Sequence, residues 1–351
     1  MDYDTTYDND KRIKYSTDIK AALVVMASEN ELMDVHMTMQ DVEDRFNQYH
    51  GYPWVILSDR PFSSRFRRLL SKRRKNVYFG RIPPGQWNEP TWVDVKSAEK
   101  AALAMGKDGM YHGESVSWRK ATRYNAGYLA QHPLLQDAEY YWKVQPRSRY
   151  MCDVKEDPFQ MMKEKDQKLA FAMTMKEDER QIRTFWSEVV KYIGQENVDS
   201  FVPHSDSILP WILDTGAQTD DDDMEPPTVK YNGNHFWNNF MIISLDFMRS
   251  EPYQRFFQHM DSTGGFFYER WGDAPFQTVA AALYLQRNQV HFVENLGYWF
   301  NVALQCPSDV VAHQELRCTC ASEASFLNRP ESRTKELLQL QQQQQQQSNR
   351  D

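Results

Sequence analysis

The chain has 351 residues, 41% of them hydrophobic and 13% aromatic, which is enough apolar material for one large or two fused globular domains. A formal charge of −8 excludes a nucleic-acid binder working through a net basic face. The first twenty residues are polar and charged, and no segment approaches the ~18 apolar residues of a membrane span, so no signal peptide or transmembrane segment is expected.

The run Ala21–Ala27 is apolar throughout and is expected to be a buried strand. Behind it Leu32, Val35, Met39, Val42 and Phe46 recur at steps of three and four, the spacing of one helix face. Tyr52–Leu57 predicts a second strand, with Asp59 and Pro61 marking the turn that follows. The basic run Arg65, Arg67, Arg68, Lys72, Arg73, Arg74 and Lys75 reads as the solvated face of a short helix. Val77–Gly80 predicts a third strand, ended by Pro83-Pro84-Gly85. This alternation implies an α/β fold with a mixed, mainly parallel sheet flanked by helices. No GxGxxG or GxxxxGK[ST] stands at a strand-helix junction, which argues against ordinary dinucleotide and P-loop sites.

Helices are expected near 95–107 and 114–131, then a strand at Glu139–Val144. The loop at Pro146 stands at the carboxyl end of that strand, where α/β sheets hold ligands. Ala170–Met175 predicts another strand, 203–230 a Pro- and Asp-rich loop, and Phe240–Leu245 a strand. A helix near 250–260, a Gly264-Gly265 turn and a helix at about 275–286 follow. The expected organisation is a polar segment over 1–19, a single domain over 20–308, and a disordered, Gln-rich tail over 309–351.

Four cysteines are too few for a disulfide scaffold, and Cys318-Thr-Cys320 resembles half a zinc site without a second half. Asp220–Asp223 sits in a Pro-flanked polar loop, a poor context for a metal. His112, His132, His204 and His291 lack ligand spacing.

Several blocks carry more than periodicity. Val42-Glu-Asp-Arg-Phe-Asn47 with Tyr52-Pro-Trp54, then Arg123-Tyr124 through Gly127 and Tyr140-Tyr-Trp-Lys-Val144, resemble glycosyltransferase family fifteen, the fungal α-1,2-mannosyltransferases. So do Tyr231-Asn with His235-Phe-Trp237, and above all Gly264-Gly-Phe-Phe-Tyr-Glu-Arg-Trp-Gly-Asp-Ala-Pro275. The resemblance covers about residues 20–308. It implies a GT-A-like fold, GDP-mannose as donor, a mannose-ended glycan as acceptor, retention at the anomeric carbon, a manganese ion, and a role in protein glycosylation in the Golgi. As written the chain is expected in the cytosol, and in the Golgi if an N-terminal anchor precedes it.

That chemistry needs carboxylates to hold a cation against the leaving diphosphate, and a carboxylate on the opposite sugar face. The family's acidic motif after the Tyr-Trp-Arg-Val strand is replaced by Gln145-Pro146-Arg147, and its nucleophilic glutamate by Met241. Its metal-side histidine falls on Trp299, its active-site tyrosine on Trp118, and an arginine after the first strand on Ser28. The chain therefore reads as a divergent member with catalysis lost or strongly reduced, and no metal cofactor is expected. Retained catalytic candidates are Asp273 and Glu269, four apart and on one face if helical. Retained substrate-binding candidates are Arg123, Tyr124, His235, Trp237, Arg270 and Trp271. The same block also reads as a packing hub. Rival readings are an enzyme rebuilt around Glu114, Asp153 or the Asp220 cluster, a non-catalytic GDP-sugar or glycan binder, and a scaffold whose pocket is plugged by Trp118, Trp299 or Arg147.

Overall fold

The structure is a computed structural model that describes residues 7–74, 76–196, 201–214 and 229–348. Its strands in chain order are β1 (Ala21–Met26), β2 (Trp54–Ser58), β3 (Val77–Arg81), β4 (Tyr140–Val144), β5 (Arg149–Tyr150), β6 (Leu169–Phe171) and β7 (Thr174–Lys176). They continue as β8 (Leu213–Asp214), β9 (Lys230–Tyr231), β10 (Asn234–Phe236), β11 (Phe240–Ser244), β12 (Val290–Phe292), β13 (Tyr298–Phe300) and β14 (Ala303–Gln305). Seven form the central sheet in the order β12-β6-β11-β4-β1-β2-β3. Only β11 runs against its neighbours, β4 and β6. The fold is thus mixed α/β with a mainly parallel sheet, as the alternation predicts.

Because side chains alternate across a strand, the sheet divides the core in two. Ala22, Val24, Tyr141, Met241 and Ile243 face one layer, packed against the Glu251–Ser262 and Asp273–Tyr284 helices. Ala21, Leu23, Val25, Trp142 and Ile242 face the other, against the Leu32–Val42 helix, whose Leu32, Val35, Met39 and Val42 are all buried. The basic run does form a short helix, Ser64–Ser71, held by Phe66 and Leu70 and capped by Ser63, whose hydroxyl accepts from the Phe66 amide.

Three expectations change. The strand expected at Ala170–Met175 divides, because β6 joins the central sheet while β7 turns out of it to pair with β10. The polar N-terminal segment covers the sheet edge, with the Asp8 carboxylate accepting from the Phe79 amide and the Asp8 amide donating to the Phe79 carbonyl. The tail expected to be disordered contains helices, Val310–Glu315 and Thr334–Ser348 among them. Leu337 and Phe326 are buried, and the Gln341 amide donates to the Arg287 and Val290 carbonyls. Hydropathy misses this tail because few apolar anchors, side-chain amides and disulfides hold it.

Those disulfides are Cys152–Cys318 and Cys306–Cys320. The partners are 166 and 14 residues apart in sequence; the small sheet β14-β13-β5 brings Cys152, just past β5, near Cys306, just past β14, and the segment after the Val310–Glu315 helix carries Cys318 and Cys320 to them. Half a zinc site, as Cys318-Thr-Cys320 suggested, is replaced by two covalent links. Among the described residues no helix is long and apolar enough to cross a membrane.

Candidate functional site

From β1 the chain crosses one way to β2 and β3, whereas β4 lies on β1's other side. Such a switch point opens a crevice at the strands' carboxyl ends. A cleft of about 740 Å³ lies there, between Val24 and Met26 of β1 and Val144–Arg147 after β4. Trp118, Gln145, Arg147, His235, Trp237, Arg270, Asp273 and Trp299 all line it. Trp118, Trp299 and Arg147 stand in the wall of that space.

Beyond β4 the chain turns at Gln145-Pro146-Arg147-Ser148, closed by the Ser148 amide donating to the Gln145 carbonyl. Arg147 takes a left-handed φ of 71° there. Its side chain is 71% exposed and its Nε donates to Asp34 Oδ2 at 2.7 Å, an ion pair that raises its pKa. Within β4, Lys143 stands across from Val24 and Met241. Its Nζ donates to Asp273 Oδ2 at 2.7 Å.

Asp273 begins the helix Asp273–Tyr284, and Gly272 to Pro275 present that helix's amino terminus to the cleft. Just before it, the Arg270 guanidinium lies 3.8 Å from the centre of the Trp118 ring and donates to Gln181. His112 stacks on Trp118 with ring planes 14° apart, and burial followed by the Arg270 charge lowers its pKa. The neighbouring Arg119 is fully buried among the Gly113, Ser115 and Glu269 carbonyls, and burial with Arg270 pushes its pKa down to about 10.

Other sequence candidates lie elsewhere. Glu269 precedes the helix and shares no helical face with Asp273; it accepts from the Thr184 amide and from Trp271 Nε1. Trp271 is buried against Phe185 and Phe266. Arg123 is buried in an ion pair with Asp261, 2.6 Å from Nε to Oδ1, and Tyr124 beside it is fully buried. These four belong to the packing hub rather than the cleft wall. Met241 sits in the core between Lys143 and Phe171 and does not line the cleft. Glu114 and Asp153 are also outside the lining, and Asp153 is held by Arg45 and Arg317. Asp220–Asp223 falls outside the described residues.

The cleft has four lining carboxylates, on Glu31, Glu177, Asp178 and Asp273. Asp178 is engaged by Arg180, Glu31 by Ser28 and Asp273 by Lys143. Among the described residues, ligand atoms of three or more His, Cys, Asp or Glu gather closely enough for one ion only at Cys152, Cys318, Cys320 and at Cys306, His313, Cys320, where every cysteine is disulfide-bonded. At the β4 end the cleft wall carries a neutral amide, Gln145, and a guanidinium, Arg147. The donor set of the cleft does not fit manganese.

Periodicity did not single out Lys143, although a charge inside an apolar strand was the available signal. Nor did it find Asn239, which lines the cleft with buried amide atoms that have no hydrogen-bond partner among the described residues.

A sequence profile of the glycolipid 2-alpha-mannosyltransferases matches residues 3–342. The chain is 36% identical over 302 residues to a probable mannosyltransferase, KTR3, of Saccharomyces cerevisiae, spanning 86% of this chain and 71% of that protein. It is 36% identical over 309 residues to glycolipid 2-alpha-mannosyltransferase 1 of Candida albicans, spanning 88% and 68%. The crystal structure of core-mannan synthase A from Aspergillus fumigatus, in its Mn/GDP form, superposes with a TM-score of 0.80 at 28% identity, covering 94% of this chain and 86% of that one. Ktr4p of S. cerevisiae in complex with GDP superposes with a TM-score of 0.79 at 26% identity, covering 92% and 81%. Both neighbours are GT-A-like glycosyltransferases.

Proposed function

The chain belongs to the glycolipid 2-alpha-mannosyltransferase family, and on that premise we propose that its cleft binds a GDP-sugar or a mannose-ended glycan while manganese-dependent mannose transfer is lost or strongly reduced. The observation that carries this reading is the chemistry at the carboxyl end of β4. Gln145 and Arg147 stand where a cation would need carboxylates, and Arg147 already holds Asp34. Met241, where the family resemblance implies the nucleophile, is a buried thioether. Solved relatives carry GDP with manganese or GDP in their structures, which supports GDP-mannose as the donor whose site this cleft descends from.

Removing one preorganised charge-stabilising group typically costs about 3–4 kcal/mol, or 10²–10³ in rate. Metal-side and nucleophile groups serve opposite faces of the sugar, so their losses are partly independent. Purified protein with GDP-mannose, manganese and methyl-mannoside or mannobiose is expected to give no detectable transfer. The double variant Gln145→Glu, Arg147→Asp tests the metal-side groups, and GDP binding that manganese strengthens is expected from it and not from the wild type; Met241 faces the core and is left in place. Wild-type turnover comparable to an active relative would instead favour an enzyme rebuilt on the cleft carboxylates Glu177, Asp178 and Asp273.

The two disulfides support an oxidising compartment such as the Golgi over the cytosol expected for the chain as written. Alkylation of a tagged copy in intact cells is expected to find no free thiols; four would contradict it.

A further inference from the structure

Cys318-Thr-Cys320 reads in the sequence as half of a zinc site without a second half. The fold supplies one. Cys152, just past β5, and Cys306, just past β14, meet that pair in a small core of their own, packed with Met151, Leu304 and Leu316. Cys152, Cys306 and Cys320 are buried and Cys318 is half-buried. The Sγ atoms of Cys152, Cys318 and Cys320 all lie within 4.8 Å of one another, although of these three only Cys152 and Cys318 are bonded. Cys306 is bonded to Cys320, which brings a fourth sulfur to the same place. None of the four cysteines lines the cleft.

That spacing suits a tetrahedral ion. Zinc binds thiolate sulfur at about 2.3 Å, so two sulfurs on one ion stand about 3.8 Å apart. The unbonded pair, Cys152 Sγ and Cys320 Sγ, is already at 3.9 Å. The segments carrying the sulfurs are also held by contacts that survive reduction. The Thr319 amide donates to the Met151 carbonyl, the Asp153 amide to the Leu316 carbonyl and the Met151 amide to the Gly297 carbonyl. Asp153, which follows Cys152, pairs with Arg317, which precedes Cys318, and with Arg45. The Cys306 amide donates to the Ser325 hydroxyl, and His313 Nε2 donates to the Cys320 carbonyl. Reduction therefore leaves four thiols packed together, and their deprotonated forms repel one another unless a cation stands between them.

We propose that Cys152, Cys306, Cys318 and Cys320, once reduced, close around one zinc ion that replaces the two disulfides as the anchor of the tail. Where a dithiol reductant is present, each disulfide takes up two electrons and two protons, and the reductant leaves as its own disulfide. Zinc then binds the four sulfurs as thiolates, and their protons pass to solvent. Zinc suits the place because its closed structural sites take four sulfurs in a tetrahedron and require no redox change of the metal. The oxidised chain holds no such site, since a disulfide sulfur carries no thiolate charge. The site does not depend on what the cleft binds.

The full chain is reduced under argon with a phosphine, which takes oxygen from water to become its oxide, and is titrated with cobalt as a spectroscopic stand-in for zinc. The visible absorption of tetrahedral cobalt bound to thiolate is expected to saturate at one ion per chain, to bleach when zinc is added, and to be absent from the oxidised chain. Zinc is also expected to shield all four thiols from alkylation and to raise the Tm of the reduced chain. Cys318→Ser should weaken binding by more than roughly tenfold, whereas His313→Ala should leave the cobalt spectrum unchanged. A reduced wild-type chain with no tetrahedral spectrum overturns the site, and that measurement needs no variant to fold. Equal affinity of the reduced chain in unfolding urea overturns it too, because the fold would then contribute nothing. So does a reduced chain that unfolds and is not restored by zinc. A spectrum lost with His313→Ala but kept with Cys306→Ser overturns the four-sulfur set.

Discussion

The ion pair between Lys143 and Asp273 decides whether the retained aspartate is a structural strut or a free base. Lys143 rises from the middle of β4 between Val24 and Met241, and its Nζ meets Asp273 Oδ2 at 2.7 Å with side-chain exposures of only 15% and 6%. Breaking a fully buried pair by removing one partner costs about 3–5 kcal/mol, whereas a surface pair is worth about 0–1. These exposures put the pair near the buried limit, so Asp273→Asn, which strands the ammonium against apolar neighbours, is expected to cost about 3 kcal/mol. Lys143→Met is expected to cost less, about 2 kcal/mol, because the Asp273 carboxylate keeps the favourable field of its helix amino terminus. The double variant should recover most of the loss, since replacing both charges removes the stranded ion along with the pair. Urea unfolding at constant slope reads all three against the wild type. If each single change costs under about 0.5 kcal/mol and the two simply add, the pair is not formed and Asp273 is free to take a proton.

Burial of His132, whose Nδ1 accepts from the Leu134 amide and whose Nε2 faces the Arg81 carbonyl, pushes its pKa down to about 4. The unfolded chain protonates it near 6.5, so stability is fully present above that pH and falls by about 1.4 kcal/mol per unit as pH drops toward 4. His132→Gln should flatten the slope of unfolding free energy between pH 6.5 and 4.5 by about that amount, and an unchanged slope would contradict its neutral burial. Arg147 holds φ 71° in a turn with Pro146 before it, a conformation that costs a non-glycine residue roughly 1–2 kcal/mol and that asparagine tolerates better. Losing its exposed pair with Asp34 costs little. Arg147→Asn should therefore leave the urea midpoint unchanged or raise stability by up to about 1 kcal/mol; a loss greater than that would mean the pair matters more than the backbone.

Much of the scaffold was legible because periodicity reports burial directly. The all-apolar β1 and the three- and four-residue spacing of Leu32 through Phe46 can fold only as a central strand and a helix packed on it. The place of the cleft followed too, since Pro146 marks the end of β4 and crevices in α/β sheets open at such ends. The family blocks located the cleft but not the work of each residue within it. Arg123 and Glu269 are charged and stand in those blocks, yet their partners, Asp261 and the Thr184 amide, lie 138 and 85 residues away in sequence. Nothing local announces such pairings. Spacing likewise suggested that Glu269 and Asp273 share a helix face, but the helix starts only at Asp273. The ordered tail was hidden for a related reason: Cys318 and Cys320 anchor it to Cys152 and Cys306 through contacts that composition cannot register.

The proposed function requires the cleft to bind a GDP-sugar without the cation that the fold's chemistry would call for. Titration of the purified chain with GDP and with GDP-mannose, each with and without manganese, tests it most directly. The account predicts weak binding that manganese does not strengthen. Affinity that rises steeply with manganese would contradict it, and would mean that carboxylates in the cleft converge on the ion despite Gln145 and Arg147.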